Sequence, residues 1–292
     1  MEEVIALVLA AGKGTRMKSK LPKVLHKAGG VPMVGQVLRA VKDAGTKREI
    51  VVVGFGAEAV TAYVGETAET VVQKEQLGTG HAVLQAESLL QGEKGILLVT
   101  CGDTPLVRTE TFRALLDCHK KTQASATVLT ACMPDPAGYG RVIRSADGKV
   151  SKIVEQKDGT SQELAVNEVN AGIYCFELPE LWELLHRIGN NNAQGEYYLT
   201  DIIGMLVADG KTVSAVAAED YRETLGVNSR LQLAQAEKIL RERKLEELMT
   251  EGVTVQDPSN TYVETTVTVG RDTVLYAGTV LEGRTVIGEN CE

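Results

Sequence analysis

A six-residue period near the end of the chain constrains its fold more than any other feature. After Pro258, the residues Val263, Val269, Leu275, Leu281 and Ile287 are aliphatic at steps of six, and Thr273, Thr279, Thr285 and Cys291 recur four positions later in the same frame. An ordinary half-buried strand alternates with period two. A hexad period instead makes every six residues one side of a triangular coil, the pattern of a left-handed parallel β-helix. Such coils bury their faces only by stacking, and about three repeats or more are needed for stability. A stretch this short has an open end, which implies either a chain cut short or a coil end covered by docking or oligomerisation.

The first half obeys a different rule. Val4 to Leu9, Ile50 to Val53 and Ile96 to Thr100 are short apolar runs, and Met33 to Ala44 and His81 to Leu90 carry helical periodicity between and after them. Strands and helices alternating in this way predict an α/β fold around a buried, mainly parallel sheet. Strand-like runs at Ala126 to Thr130, Val150 to Val154 and Ala171 to Phe176, with helical stretches at Pro179 to Arg187 and Leu199 to Ala208, continue the same domain as a side wall. Ser229 to Met249, with Leu231, Ala234, Ile239, Leu240, Leu245 and Leu248 among many charges, suits one long amphipathic connecting helix. The expected division is residues 1–228, a linker helix at 229–251, and the beginning of the β-helix at 252–292.

Composition narrows the class of partner. A formal charge of -8 argues against bulk nucleic-acid binding, which uses a basic surface to replace phosphate counterions. A small anion needs only a local basic pocket, and the densest basic cluster is Lys13 to Lys27. The apolar start from Val4 is cut by Gly12-Lys13-Gly14, too short for a membrane span and unlike a signal peptide. Five cysteines without a CxxC pair suit neither a metal site nor a disulfide framework, and a reducing cytoplasm is the expected location.

In a parallel α/β sheet, ligands bind outside the carboxyl ends of the strands, so the loops after Leu9 and Thr100 are the places for chemistry. The first reads Leu9-Ala10-Ala11-Gly12-Lys13-Gly14-Thr15-Arg16-Met17 and continues to Leu21-Pro22-Lys23. Its small residues let backbone N–H groups approach a polyphosphate, and Arg16 and Lys23 supply neutralising charge. The spacing matches neither GxxxxGK[ST] nor GxGxxG. The second loop carries Asp103 in Cys101-Gly102-Asp103-Thr104-Pro105, where a carboxylate at a strand end can hold a hard cation such as magnesium. Its bland alternative is a turn-forming aspartate. His26, His81, His119 and His186 share no motif and read as structural or surface residues, and no Ser-His-Asp arrangement can be argued.

Taken in order, LAAGKGTRM with LPK, QKEQLGTGHA from Gln73, CGDTPL, GYGR from Gly138, IVEQKD from Ile153, NEVNAGIY from Asn167, GEYYLTD from Gly195 and GVNSRLQL from Gly226 resemble one family along nearly the whole chain. It is the bifunctional N-acetylglucosamine-1-phosphate uridylyltransferase / glucosamine-1-phosphate N-acetyltransferase family of bacteria. The resemblance implies a Rossmann-like, glycosyltransferase-A-like nucleotidyltransferase domain that uses Mg2+ to join UTP and N-acetylglucosamine 1-phosphate into UDP-N-acetylglucosamine and pyrophosphate, feeding cell-wall synthesis.

The same resemblance implies roles residue by residue. Leu9, Ala10, Ala11, Gly12, Gly14 and Lys23 would hold the nucleotide and its phosphates, and Gln73, Gly78 and Thr79 would read the uracil. Asp103 and Asn228 would bind the metal. Gly102, Gly140, Glu155, Asn170 and Thr200 would line the amino-sugar site, and Arg16 would touch the departing pyrophosphate. One position departs from the family, because Cys101 stands where an aromatic residue is common; no catalytic thiol is implied. The family's acetyl transfer belongs to later coils and a tail, so it is not expected of these residues, and its trimers form through the β-helix.

Overall fold

In the computed structural model, residues 3–292 are described; Met1 and Glu2, where the reading of the chain's start begins, lie outside them. The strands of the first part are β1 (Val4–Ala10), β2 (Lys27–Ala28), β3 (Val31–Pro32), β4 (Arg48–Val53), β5 (Glu69–Val72), β6 (Gly95–Cys101), β7 (Ala126–Cys132), β8 (Arg141–Arg144), β9 (Val150–Val154), β10 (Glu168–Leu178) and β11 (Val213–Ala217). The helices are α1 (Met33–Asp43), α2 (Ala57–Val64), α3 (Thr79–Leu84), α4 (Thr109–Thr122), α5 (Ser161–Leu164), α6 (Glu180–Leu185), α7 (Asp201–Ala208) and α8 (Arg230–Thr250).

The central sheet runs in the order β11-β7-β10-β6-β1-β4-β5, with β8 and β9 paired off β10. β1 is parallel to both β4 and β6, β4 is parallel to β5, and β7 is parallel to β11. β10 alone runs antiparallel between β6 and β7. Both faces of β1 are covered: Ile5 and Leu7 join one apolar core, while Val4, Ala6, Val8 and Ala10 join the other. A strand buried on both sides has to be continuously apolar, which is why VIALVLA is. The chain leaves β1 toward β4 and β5 on one side and returns as β6 on the other. The carboxyl ends of β1 and β6 therefore flank the switch point at which a crevice opens.

Three helical expectations shorten. The run from His81 to Leu90 is α3 followed by a turn at Glu87–Leu89. The bond from Leu89 N to Ala86 O tightens the chain there, and both Ala86 and Leu90 remain fully buried. The stretches at Pro179 and Leu199 reduce to α6 and α7.

α8 is continuous and is capped by Ser229, whose hydroxyl accepts from Gln232 N at 3.2 Å. It does not present one apolar stripe. Ala236 and Leu240 pack with Met33, Leu106 and Val227, whereas Leu245 and Leu248 enter the core of the coil beyond. Leu231, expected on the buried face, is 71% exposed because it precedes the first packed turn.

The hexads form two-residue strands: β12 (Thr254–Val255), β13 (Tyr262–Val263), β14 (Thr268–Val269), β15 (Val274–Leu275), β16 (Val280–Leu281) and β17 (Val286–Ile287). Tyr262 pairs in parallel with Val280 and Thr268 with Val286, each three hexads further on. Three short sides per coil is what the six-residue period requires. Val263, Val269 and Leu275 face the coil interior and are buried. The coil docks back onto the first part: Thr265 N and Oγ1 both donate to Gly29 O, at 3.1 and 3.0 Å, and Glu237 of α8 accepts from Gly29 N and Tyr262 OH.

Candidate active site

The loop after β1 is shaped by Gly14 and Lys23. Gly14 has φ +58, a conformation that side chains disfavour, and a Cβ there would lie 2.6 Å from Lys23 Cβ. Glycine at 14 thus lets the lysine stem lie against the loop. Gly12 is different, because a Cβ on it would meet nothing within 4 Å. Its open side is the cavity.

Lys23 reaches across the carboxyl ends of β1 and β6. Its Nζ is ion-paired with Asp103 and donates to Asn228 Oδ1 at 2.8 Å. The Asp103 loop is fixed from behind by Val227 N, which donates to Asp103 O at 2.8 Å, and Asn228 N donates to Gln232 Oε1 in the first turn of α8. Three segments distant in sequence thereby bring one carboxylate, one amide oxygen and one ammonium to a point. The two oxygens converge on a positive charge. Hard oxygen donors in this pairing fit a magnesium-type cation, which keeps several waters and takes further ligands from phosphate.

A cavity of about 260 Å³ is lined by Leu9, Ala10, Ala11, Gly12, Lys23, Gln73, Gly78, Thr79 and Asp103. Gln76, Cys101 and Glu196 also line it, and the sequence did not single out Gln76 or Glu196 for it. Glu196 arrives because the segment after Gly195 pairs with the Leu77–Gly80 turn: Tyr197 N donates to Leu77 O and Gly80 N to Tyr197 O, both at 2.8 Å. Gly78, at φ +111, has Tyr197 O only 2.6 Å from where a Cβ would stand, so this close pairing requires glycine.

The residues expected at the sugar gather beside it. Glu155 accepts from Thr200 Oγ1 at 3.0 Å, and a Cβ on Gly140 would sit 3.5 Å from the Glu155 carboxylate. Asn170 N donates to Gly140 O at 2.9 Å, and Asn170 Nδ2 donates to Tyr174 OH at 2.6 Å. A register shift in β10 between Asn170 and Tyr174 re-aims this strand, with Gly172 N donating to Asn170 Oδ1 at 3.0 Å. Burial raises the Glu155 carboxyl above its ordinary range, the Thr200 hydrogen bond opposes this, and Asp201, Asp158 and Glu196 add to the rise.

Three residues lie differently. Arg16 is exposed and stands outside the cavity lining, and Gly14 lies beneath Lys23. Gly102 is buried, with side-chain atoms of Ala10, Val24 and Val8 each 3.4 Å from where a Cβ would stand, and its N–H donates to Leu9 O at 2.9 Å, so it joins the two loops. Cys101 lines the cavity, but burial and the neighbouring Asp103 charge push its thiol up to about 12, which keeps it protonated. A larger cavity of about 650 Å³ between α1, α8 and residues 105–110 contains none of these residues. No helix among the described residues is long and apolar enough to cross a membrane.

A mainly parallel sheet with a glycine loop, a lysine and a carboxylate gathered at its switch point defines an α/β protein with a binding crevice at the carboxyl ends of β1 and β6. Residues 6–152 match the family model described as a MobA-like NTP transferase domain, and the chain belongs to that family. It is 55% identical over 286 residues to the bifunctional protein GlmU of Geobacillus sp. (strain WCH70), covering 98% of this chain and 62% of that protein. It is 54% identical to the bifunctional protein GlmU of Geobacillus thermodenitrificans (strain NG80-2), again over 98% of this chain and 62% of the relative. The chain thus spans less than two thirds of these relatives. Among solved structures, UDP-glucose pyrophosphorylase complexed with UDP-glucose superposes with a TM-score of 0.68 at 17% identity, over 83% of this chain and 100% of that one, a likeness of fold.

Proposed function

We propose that the chain transfers UMP from UTP to N-acetylglucosamine 1-phosphate, giving UDP-N-acetylglucosamine and pyrophosphate with magnesium as the metal. The observation that carries this reading is the convergence of Lys23, Asp103 and Asn228 at the mouth of the β1–β6 crevice. The relatives named bifunctional protein GlmU support it, as does the UDP-glucose bound by the structural neighbour.

In this reading a phosphate oxygen of the sugar phosphate attacks the α-phosphorus of UTP. The bond from that phosphorus to the bridging oxygen breaks, and its electron pair leaves with pyrophosphate. The attacking phosphate is already ionised, so the chain needs no general base, in keeping with a thiol at Cys101 that stays protonated. Lys23 sets a fixed positive charge where phosphate charge redistributes, and the loop from Leu9 to Gly12 offers backbone N–H donors beside it. Magnesium, when held by Asp103 and Asn228, offsets charge on the phosphates. Gln73, Gly78 and Thr79 hold the base, while Gly140, Glu155, Asn170 and Thr200 orient the amino-sugar. Arg16 meets pyrophosphate from the exposed rim of the loop.

The proposed division is a transferase unit to residue 228, the linker at 229–251 and a β-helical unit from 252, whose left-handed coils would trimerise. A cytoplasmic setting suits its substrates. The test is pyrophosphate release from UTP and N-acetylglucosamine 1-phosphate with magnesium, in the intact chain and in Asp103→Ala. Turnover that vanishes in the variant supports the reading. An intact chain that binds the UDP-sugar without turnover is a sensor instead.

A further inference from the structure

Gln73 is a buried polar side chain in the cavity wall, 3% exposed. Its Nε2 lies 3.2 Å from Gly78 O and 3.0 Å from His81 Nδ1. A carbonyl oxygen only accepts, so the contact with Gly78 fixes which amide atom is the nitrogen. One of its hydrogens goes to Gly78, and the other faces His81 Nδ1, which has to accept it. The neutral imidazole then carries its proton on Nε2.

On its far side His81 Nε2 meets Gln85 Nε2 at 3.2 Å, and the same Gln85 nitrogen reaches His81 O at 2.9 Å. A neutral imidazole accepts only once, so both amides cannot donate to the ring. Each amide nitrogen is also held by a carbonyl, Gln73 by Gly78 O and Gln85 by His81 O. Gln73 is buried whereas Gln85 is half-buried, so water can take over the bond to His81 O that Gln85 gives up. Gln85 is the one that yields, by turning its amide oxygen toward the ring N–H. Gln73 Oε1 has no donor among the described residues, which leaves an acceptor of fixed orientation in the cavity wall.

We propose that His81 is a positioning residue for base selection: it holds the Gln73 amide so that the site takes a pyrimidine with a ring N–H donor and disfavours one with a ring-nitrogen acceptor. This rests on the uridine-nucleotide reading above. Uracil N3 carries a hydrogen and cytosine N3 a lone pair, so cytosine sets acceptor against acceptor. Sites built around one hydrogen-bond pattern discriminate strongly against an analogue that leaves a buried polar group unpaired.

The experiment compares kcat and KM for UTP and CTP, at saturating N-acetylglucosamine 1-phosphate and magnesium, in the intact chain, His81→Phe and His81→Asn. Phenylalanine removes the acceptor, while asparagine returns an oxygen acceptor close to the Nδ1 position. The expected result is a fall of about ten-fold or more in the UTP-to-CTP ratio of kcat/KM for His81→Phe. The fall comes through KM for UTP, with kcat held within about two-fold, and His81→Asn restores the ratio. A folded His81→Phe with the original ratio, or equal losses in both variants, overturns the proposal. If the intact chain turns over neither nucleotide, the uridylyl reading fails by itself, and calorimetric Kd values for UTP and CTP across the same variants decide the role of His81.

Discussion

Asn228 accepts a hydrogen bond of 2.8 Å from Lys23, so the residue preceding the cap of α8 is tied to the loop after β1. The same ammonium pairs with Asp103, and the two side chains of that pair are only 13% and 17% exposed. Asp103→Ala removes the carboxylate paired with Lys23 and leaves it the neutral Asn228 as partner. We expect pyrophosphate release to fall by about 10²-fold or more, the scale for losing a positioned electrostatic group. Asn228→Ala removes a neutral ligand only, so its smaller loss recovers in part at high magnesium. A titration of rate against magnesium separates the two; variants that lose rate but keep the parent's magnesium dependence would refute their joint role as ligands.

Gly12 and Gly14 stand two residues apart and predict opposite behaviour. Gly14→Ala meets Lys23 Cβ at 2.6 Å and must hold φ +58, which costs about 1–2 kcal/mol for the backbone alone. It lowers the melting temperature and displaces Lys23. Gly12→Ala has open space for its methyl, but that space is the cavity. The protein melts unchanged while KM for the nucleotide rises. Thermal melts beside steady-state kinetics check both, and a destabilised Gly12→Ala would show that its open side is not the binding side.

Much of this architecture was legible because its parts are local. The strands β1 and β6, and β4 from Ile50 to Val53, are apolar runs buried on both faces, and the hexads advertise their own coil. β5 and β11 escaped notice because they lie at the sheet edges and are only partly buried, which removes the apolar signal. The antiparallel insertion of β10 between β6 and β7 is a choice of long-range pairing with no local mark. The site divides in the same way. The loops after β1 and β6 were visible as motifs, whereas the placing of Glu196 in the cavity depends on the pairing of Tyr197 with residues 77–80. His81 read as structural because its partner, Gln73, lies eight positions away and across the turn.

Glu155 links pH to both binding and stability. Burial raises its carboxyl above the ordinary range, so the folded state holds the proton more tightly than the unfolded chain does. Stability contributed by this group therefore declines as pH rises from the unfolded carboxyl range through the raised folded one, and is level above it. Glu155→Gln removes that decline while keeping an acceptor for Thr200. The variant is expected to melt higher than the parent at pH 7.5, with the gap narrowing toward pH 4.5, and its KM for the sugar phosphate rises. A melting difference that does not change with pH would rule out this linkage.

Thr273 tests the coil independently of the catalytic loops. It is 1% exposed, and its hydroxyl donates to Gly288 O at 2.8 Å while accepting from Cys291 N at 3.1 Å. One side chain therefore bonds two backbone groups of the next coil, where strands of two residues supply few bonds of their own. Thr273→Val keeps the shape and leaves both groups unpaired, a loss of about 1–3 kcal/mol for each one that stays dry. Because these strands pack in the coil's own core, apart from the two cores of the sheet, the loss falls on local opening there, not on global unfolding. Hydrogen exchange should accelerate across residues 274–291 with turnover unchanged. Acceleration that spreads into β1 and β6 would instead mean that coil and transferase unit unfold together through α8.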